Sequence, residues 1–177
     1  MAYSVIVGLD MMADNVDTKN RFAIAEENIN DGCVFRLDEV TKEEGENEVW
    51  KVEKPTTGKL KGLWMAYGFA QVQTGVEGGY VLVNQFADPR AYTNVAGYTF
   101  DAKKLEVDDV LLMTADCFTG QYTDNTTKFA NATNNSYQFA WGNNQTADVT
   151  SLKVLKATYI TIGLERVPAY KMVVVAN

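Results

Sequence analysis

The sequence predicts an all-β protein: a single-domain antiparallel barrel or sandwich, with a short extended N-terminal arm and a long Asn/Thr-rich loop. Three observations carry this. Runs of Val, Ile, Thr and aromatic residues recur along the chain, each bounded by Gly, Asn or Asp, as short strands between turns are. Helical spacing of apolar residues is missing: residues 14–20 open with a capping residue but no apolar face follows, and Asp88-Pro89-Arg90 suits a single turn. An apolar share of 46% and a charged share of 22% over 177 residues suit one folded domain with a sizeable core.

The elements follow in chain order. Tyr3–Val7 alternates and lies in a candidate arm over residues 1–20, and Phe22–Ala25 is a weaker strand. Gly32–Leu37 and Glu48–Glu53 flank the polar stretch Glu43-Glu44-Gly45-Glu46-Asn47 and read as a hairpin with a loop of several residues. Further strands are expected at Leu63–Phe69, Gly79–Val83, Tyr98–Phe100, Asp109–Ala115, Tyr137–Trp141, Leu152–Leu155, Ala157–Leu164 and Tyr170–Ala176. Pro55, Pro89 and Pro168 each read as turns between strands. Residues 120–146 are rich in Asn and Thr, with Tyr122, Phe129, Tyr137, Phe139 and Trp141 interleaved, and read as a polar surface excursion. Frequent turns between short strands point to a sandwich or barrel. No repeat or linker divides the chain, so residues 1–177 are expected to form one domain.

Composition limits the chemistry. The chain contains no histidine, which excludes Ser–His and Cys–His nucleophile pairs and histidine metal sites within it. Carboxylates remain. Asp14 and Asp17 lack the alternating acids, central glycine and terminal glutamate of a calcium loop. Asp108 and Asp109 face opposite ways in a strand, and turn or capping duty fits both pairs. Gly75-Val76-Glu77-Gly78-Gly79 has no Lys-Ser/Thr after it and reads as a turn, not a phosphate cradle. Cys33 and Cys117 match no metal or redox spacing and read as buried free thiols. No enzyme activity, cofactor or metal is expected.

The net charge of −7 is uneven: residues 1–60 hold 13 acids and 7 bases, residues 61–177 hold 10 and 9. The pairs Lys59/Lys61 and Lys103/Lys104 are too scattered to track a phosphate backbone, so no nucleic-acid partner is expected. No run approaches the roughly 20 apolar residues of a membrane span, and the start lacks a basic leader segment. The four sequons, at Asn125, Asn131, Asn134 and Asn144, read as by-products of the Asn/Thr-rich stretch.

What remains is contact between proteins. Tyr3, Val5 and Val7 near the start and Val173 and Val175 near the end are apolar, β-prone and terminal, so their strands must pair in their own sheet or with a neighbouring copy. Met11 and Met12 add soft apolar surface. Phe139 and Trp141, two apart, share a strand face and fill the core. Tyr122 and Tyr137, among asparagines, suit adaptable surface contact.

The opener Gly8-Leu9-Asp10-Met11-Met12-Ala13-Asp14, with Arg21-Phe22-Ala23-Ile24-Ala25 after it, resembles the start of small structural proteins of tailed phages and prophages. Asp31-Gly32-Cys33-Val34-Phe35-Arg36-Leu37 resembles the glycine-led strand of head decoration (capsid cement) proteins, and Glu106-Val107-Asp108-Asp109-Val110-Leu111-Leu112 is similar in style. The resemblance implies a β-rich body without catalytic residues, made in the host cytoplasm, that sits on the capsid exterior and stiffens the lattice. Its partners would be the major capsid protein, copies of itself, or both, in an oligomeric setting. The alternatives are a sugar- or cell-surface-binding sandwich, with Tyr122, Tyr137 and Trp141 lining the site, and a tail or neck subunit.

Overall fold

The computed structural model describes residues 5–10, 19–44, 47–67, 73–77, 80–83, 93–162 and 164–177. Among them the chain is all-β, with no α-helix and a short 3₁₀ turn at Ala115–Cys117. Among the described residues no helix is long and apolar enough to cross a membrane.

Five strands close a barrel in the order β2-β4-β3-β5-β8: β2 (Asn20–Ile24), β4 (Asn47–Glu53), β3 (Val34–Glu44), β5 (Trp64–Ala66) and β8 (Thr99–Lys104). All its pairings are antiparallel except β2 with β4. Seven strands form a second sheet in the order β1-β9-β14-β13-β11-β12-β10. These are β1 (Ile6–Asp10), β9 (Val110–Thr114), β14 (Glu165–Ala176), β13 (Ser151–Ile162), β11 (Phe129–Ala132), β12 (Phe139–Gly142) and β10 (Phe118–Thr119). A separate ribbon pairs β6 (Gln73–Glu77) with β7 (Tyr80–Val83).

Strand alternation explains how one short strand serves two cores. In β5, Trp64 and Ala66 point into the barrel beside Ala23, Phe35 and Phe100, and Met65 points out against the sheet. In β3, Phe35 points in and Val34 out. The barrel interior is therefore packed, with Phe35 and Phe100 edge to face at 5.9 Å. The outer core joins Val34, Leu63, Met65 and Leu105 of the barrel side to Leu111, Met113, Leu152, Met172 and Val174 of the sheet. The Asn177 side chain joins the two bodies as well: its Oδ1 accepts from Leu63 N (2.9 Å) and Thr150 Oγ1 (2.6 Å), and its Nδ2 donates to the Leu63 and Leu105 carbonyls.

Several sequence expectations change in detail. The segments expected at 152–155 and 157–164 form one 12-residue strand, β13, with a register shift between Val154 and Lys156. Pro168 is not a turn: it lies within β14, opposite Tyr159. β14 last pairs with β9 at Ala169, so no neighbour needs a donor at Pro168, which is where a strand tolerates proline. The hairpin of β3 and β4 closes more tightly than expected, pairing through Glu44 and Asn47. Gly75 lies inside β6. The Asn/Thr-rich stretch is not one long loop, because it threads β11 and β12 into the larger sheet.

The asparagines there do turn and anchoring work. Asn125 and Asn135 adopt positive φ of 64° and 57°, a conformation asparagine tolerates better than most residues. Asn131 is buried, and its Oδ1 accepts from Thr146 N (3.1 Å) and Ser151 Oγ (2.7 Å) while its Nδ2 donates to Asn144 O (3.1 Å). A Cβ on Gly142 would stand 2.9 Å from that Nδ2. Burial makes Asn131 unsuitable as a glycan acceptor.

Candidate interaction surface

The most distinctive surface is the far half of the β13–β14 hairpin. Its near half is built into the sheet, with Leu152, Met172 and Val174 fully buried. β11 pairs with β13 only over Ser151–Lys153, with one more bond from Val154 N to Lys128 O (2.9 Å). β9 pairs with β14 only over Ala169–Val173. The rungs Ala157–Tyr170 and Thr158–Ala169 continue past β11, and those from Tyr159–Pro168 to Ile162–Glu165 continue past both neighbours. Eight residues of β13, Leu155–Ile162, thus extend about 25 Å with no neighbour on the β11 side among the described residues.

The two faces of this extension differ. Ile162 and Ala169 are buried on one face. On the other, Ala157, Tyr159 and Thr161 lie with Arg166 and Pro168, all exposed. Tyr159 is 56% exposed, Leu155 50% and the turn residue Leu164 104%. Arg166 stacks on Tyr159 with its guanidinium carbon 4.6 Å from the ring centre. An open strand edge lined with large apolar side chains is the kind of feature that pairs with another chain.

An aromatic cluster roots the exposed face. Tyr170, opposite Ala157, lies 4.9 Å from Trp141 and 4.7 Å from Tyr122, centre to centre. Phe118 stacks on Trp141 at 4.0 Å. Burial raises the Tyr122 and Tyr170 hydroxyl pKa values, and the carboxylate of Asp124, which accepts a hydrogen bond from Tyr122, pushes that of Tyr122 further up. The rings pack on one another, so one Trp141 face is already covered. Tyr137 belongs elsewhere: it packs against the barrel core, with Lys54 Nζ 4.9 Å from its ring centre. Burial and the neighbouring Glu27 carboxylate raise its pKa. The structure thus joins Tyr122 to Trp141 but sets Tyr137 apart from both.

The other contact candidates fall as follows. Tyr3, Met11 and Met12 lie outside the described residues. Val5 is half-buried, and its N–H and carbonyl bond Thr114. Val7 pairs with Leu112 in β1. Val173 and Val175 are half-buried in β14, where Val173 pairs with both Val110 and Lys153. The described terminal strands pair inside their own sheet. Leu155, Tyr159 and Leu164 were not singled out by sequence. The available signal was two strongly β-prone runs of equal length on either side of Gly163-Leu164, masked by reading Pro168 as a break.

Two other features carry chemistry of their own. A cleft of about 500 Å³ is lined by Arg36, Asp38, Gly58, Lys59, Lys61 and Asp148. Arg36 is buried against Asp38, Glu53 (3.6 Å) and Thr56 Oγ1 (3.3 Å). Lys59 pairs with Asp38 (3.4 Å) and Lys61 with Asp148 (2.8 Å). Its three cations are thus matched by three carboxylates, leaving no net positive charge for an anion. The second feature is at a barrel end, where Arg21 lies over Trp50 at 3.8 Å and Trp64 at 5.2 Å. Neither Cys33 nor Cys117 is in a disulfide; Cys117 is buried as expected, while Cys33 is half-buried, and burial pushes its thiol up to about 11. Comparison with protein-family models, curated proteins and solved structures gave no match.

Proposed function

We propose that the chain is a structural assembly protein, a head decoration or auxiliary capsid protein that binds the outside of a tailed-phage shell and stiffens it. The observation that supports an assembly role is the β13–β14 hairpin, which among the described residues carries an open strand edge and three large exposed apolar residues. A solitary protein would gain solubility by shortening such an edge. The phage setting rests on the sequence resemblance at Gly8–Asp14, Asp31–Leu37 and Glu106–Leu112. The partners proposed are the major capsid protein, other copies of this chain, or both.

A copy count tests the proposal. Virus-sized particles are purified from the source culture on a density gradient, and this chain is quantified against the most abundant shell protein by mass spectrometry. Copies comparable to the shell protein are expected. A handful per particle would replace decoration with a vertex, neck or fibre role, and absence from particles would overturn the reading.

A further inference from the structure

We propose that the extended half of the β13–β14 hairpin pairs, head to tail, with the open edge of the β3–β4 hairpin on a second copy of this chain. This deepens the assembly reading and rests on it. Two hairpins outgrow their sheets. One is β13–β14, open along Leu155–Ile162 among the described residues. The other is β3–β4: β5 pairs with β3 only at Val34 and Phe35, so the β3 edge over Arg36–Glu44 has no strand partner on that side among the described residues. Val40, on that stretch, is 42% exposed.

Their charges are opposite. Over Lys153–Lys171 the first hairpin carries Lys153, Lys156, Arg166 and Lys171 against Glu165 alone. Over Val34–Glu53 the second carries seven acids against Arg36, Lys42 and Lys51. A basic hairpin is thus present in a chain whose net charge is −7. Pairing β13 with β13 would bring two basic edges together, and pairing β3 with β3 two acidic ones. Each like-with-like arrangement is repulsive, while the crossed arrangement is attractive. Charge on an edge strand blocks its own kind, and here it leaves one partner open. The apolar residues Leu155, Tyr159 and Leu164 supply area that water leaves on docking.

The contact uses different surfaces on the two copies. Every bound pair therefore retains one free arm and one free edge, and assembly proceeds to a ring or an open array. That behaviour suits a protein that covers a repeating lattice.

Sedimentation velocity on the isolated full-length chain tests this, over a concentration series at low and high ionic strength. Self-association that weakens with salt is expected. Lys156→Glu with Arg166→Glu should weaken it by about tenfold or more, and so should Glu39→Lys with Glu48→Lys. Mixing the two variants should restore association, because each supplies the surface the other lacks. Circular dichroism and urea midpoints identify any variant that has lost its fold, and the mixing result does not depend on a loss. A wild-type chain that stays monomeric would overturn the inference. So would association that strengthens on arm reversal and ignores the acidic variant, which is the outcome for symmetric β13 pairing. A monomeric chain that is still abundant on particles would sink this inference and leave the assembly reading standing.

Discussion

The two halves of the β13–β14 hairpin are one continuous ladder with opposite surroundings. In the near half Leu152 and Met172 are fully buried, and the strands have partners on both sides. In the far half Tyr159 and Leu164 face solvent, and β13 has an open edge among the described residues. Both halves are strongly β-prone, so propensity does not distinguish them. The difference lies in the neighbours: β11 and β9 stop, and the hairpin continues. The near half holds the domain together, and the far half is free to hold something else.

That contrast predicts unequal responses to substitution. Leu152→Ala should lower stability by about 2–5 kcal/mol, because it opens a cavity where β13 meets the barrel side. Leu164→Asp should stay within about 0.5 kcal/mol in the isolated chain. Urea midpoints read both. Equal destabilisation would mean that the far half is part of the folding core.

The next effect comes from pH. Burial holds the folded Cys33 thiol at about 11, against an ordinary value of 9.0. Below pH 9 both folded and unfolded chains keep that proton, and the contribution is fully present. Between pH 9 and 11 the unfolded chain ionises first, so stability falls as pH rises, by about 2–3 kcal/mol. Cys33→Ala should remove this early fall. Tyr137, Tyr122 and Tyr170, also raised by burial, continue the fall at higher pH, and Tyr137→Phe should reduce that later part. Urea melts across this range measure both, and a flat wild-type profile would contradict the burial of Cys33.

Asn131 anchors the root of β13 through Ser151 and holds the following loop through Thr146 and Asn144. Asn131→Ala should cost about 1–3 kcal/mol, because it leaves buried groups without partners. Asn143→Ala, at an exposed position, should cost less than about 0.5 kcal/mol. Similar losses at both positions would mean that the asparagines act by composition rather than by placement.

These contrasts also mark what the sequence makes legible. Alternation around Trp50 and Val52 and the β-branched run at Thr158–Leu164 announce strands, because side-chain period is a local property. Closure of β2 onto β8 and the parallel pairing of β2 with β4 join segments remote in sequence, and no local pattern encodes them. Pro168 misleads because its tolerance depends on where β9 ends. Asn131 and Asn143 read alike in sequence, yet one is buried and bonded and the other exposed. Tyr122 and Tyr137 likewise read as neighbours on one surface and pack in different clusters. The exposed edge was hidden for the same reason: exposure is set by what neighbouring strands fail to cover.

Hydrogen exchange along β13 tests the central claim most directly. The amides of residues 155–162 are followed by mass spectrometry in the isolated chain, at a dilution where it is monomeric, and in assembled particles. In an arm that pairs with a partner strand, the outward-facing amides of residues 155–162 should exchange readily in the isolated chain and become strongly protected in particles, while residues 151–153 are protected in both. Equal exchange of residues 155–162 in the two states would mean that the hairpin takes no part in assembly, and would contradict the account.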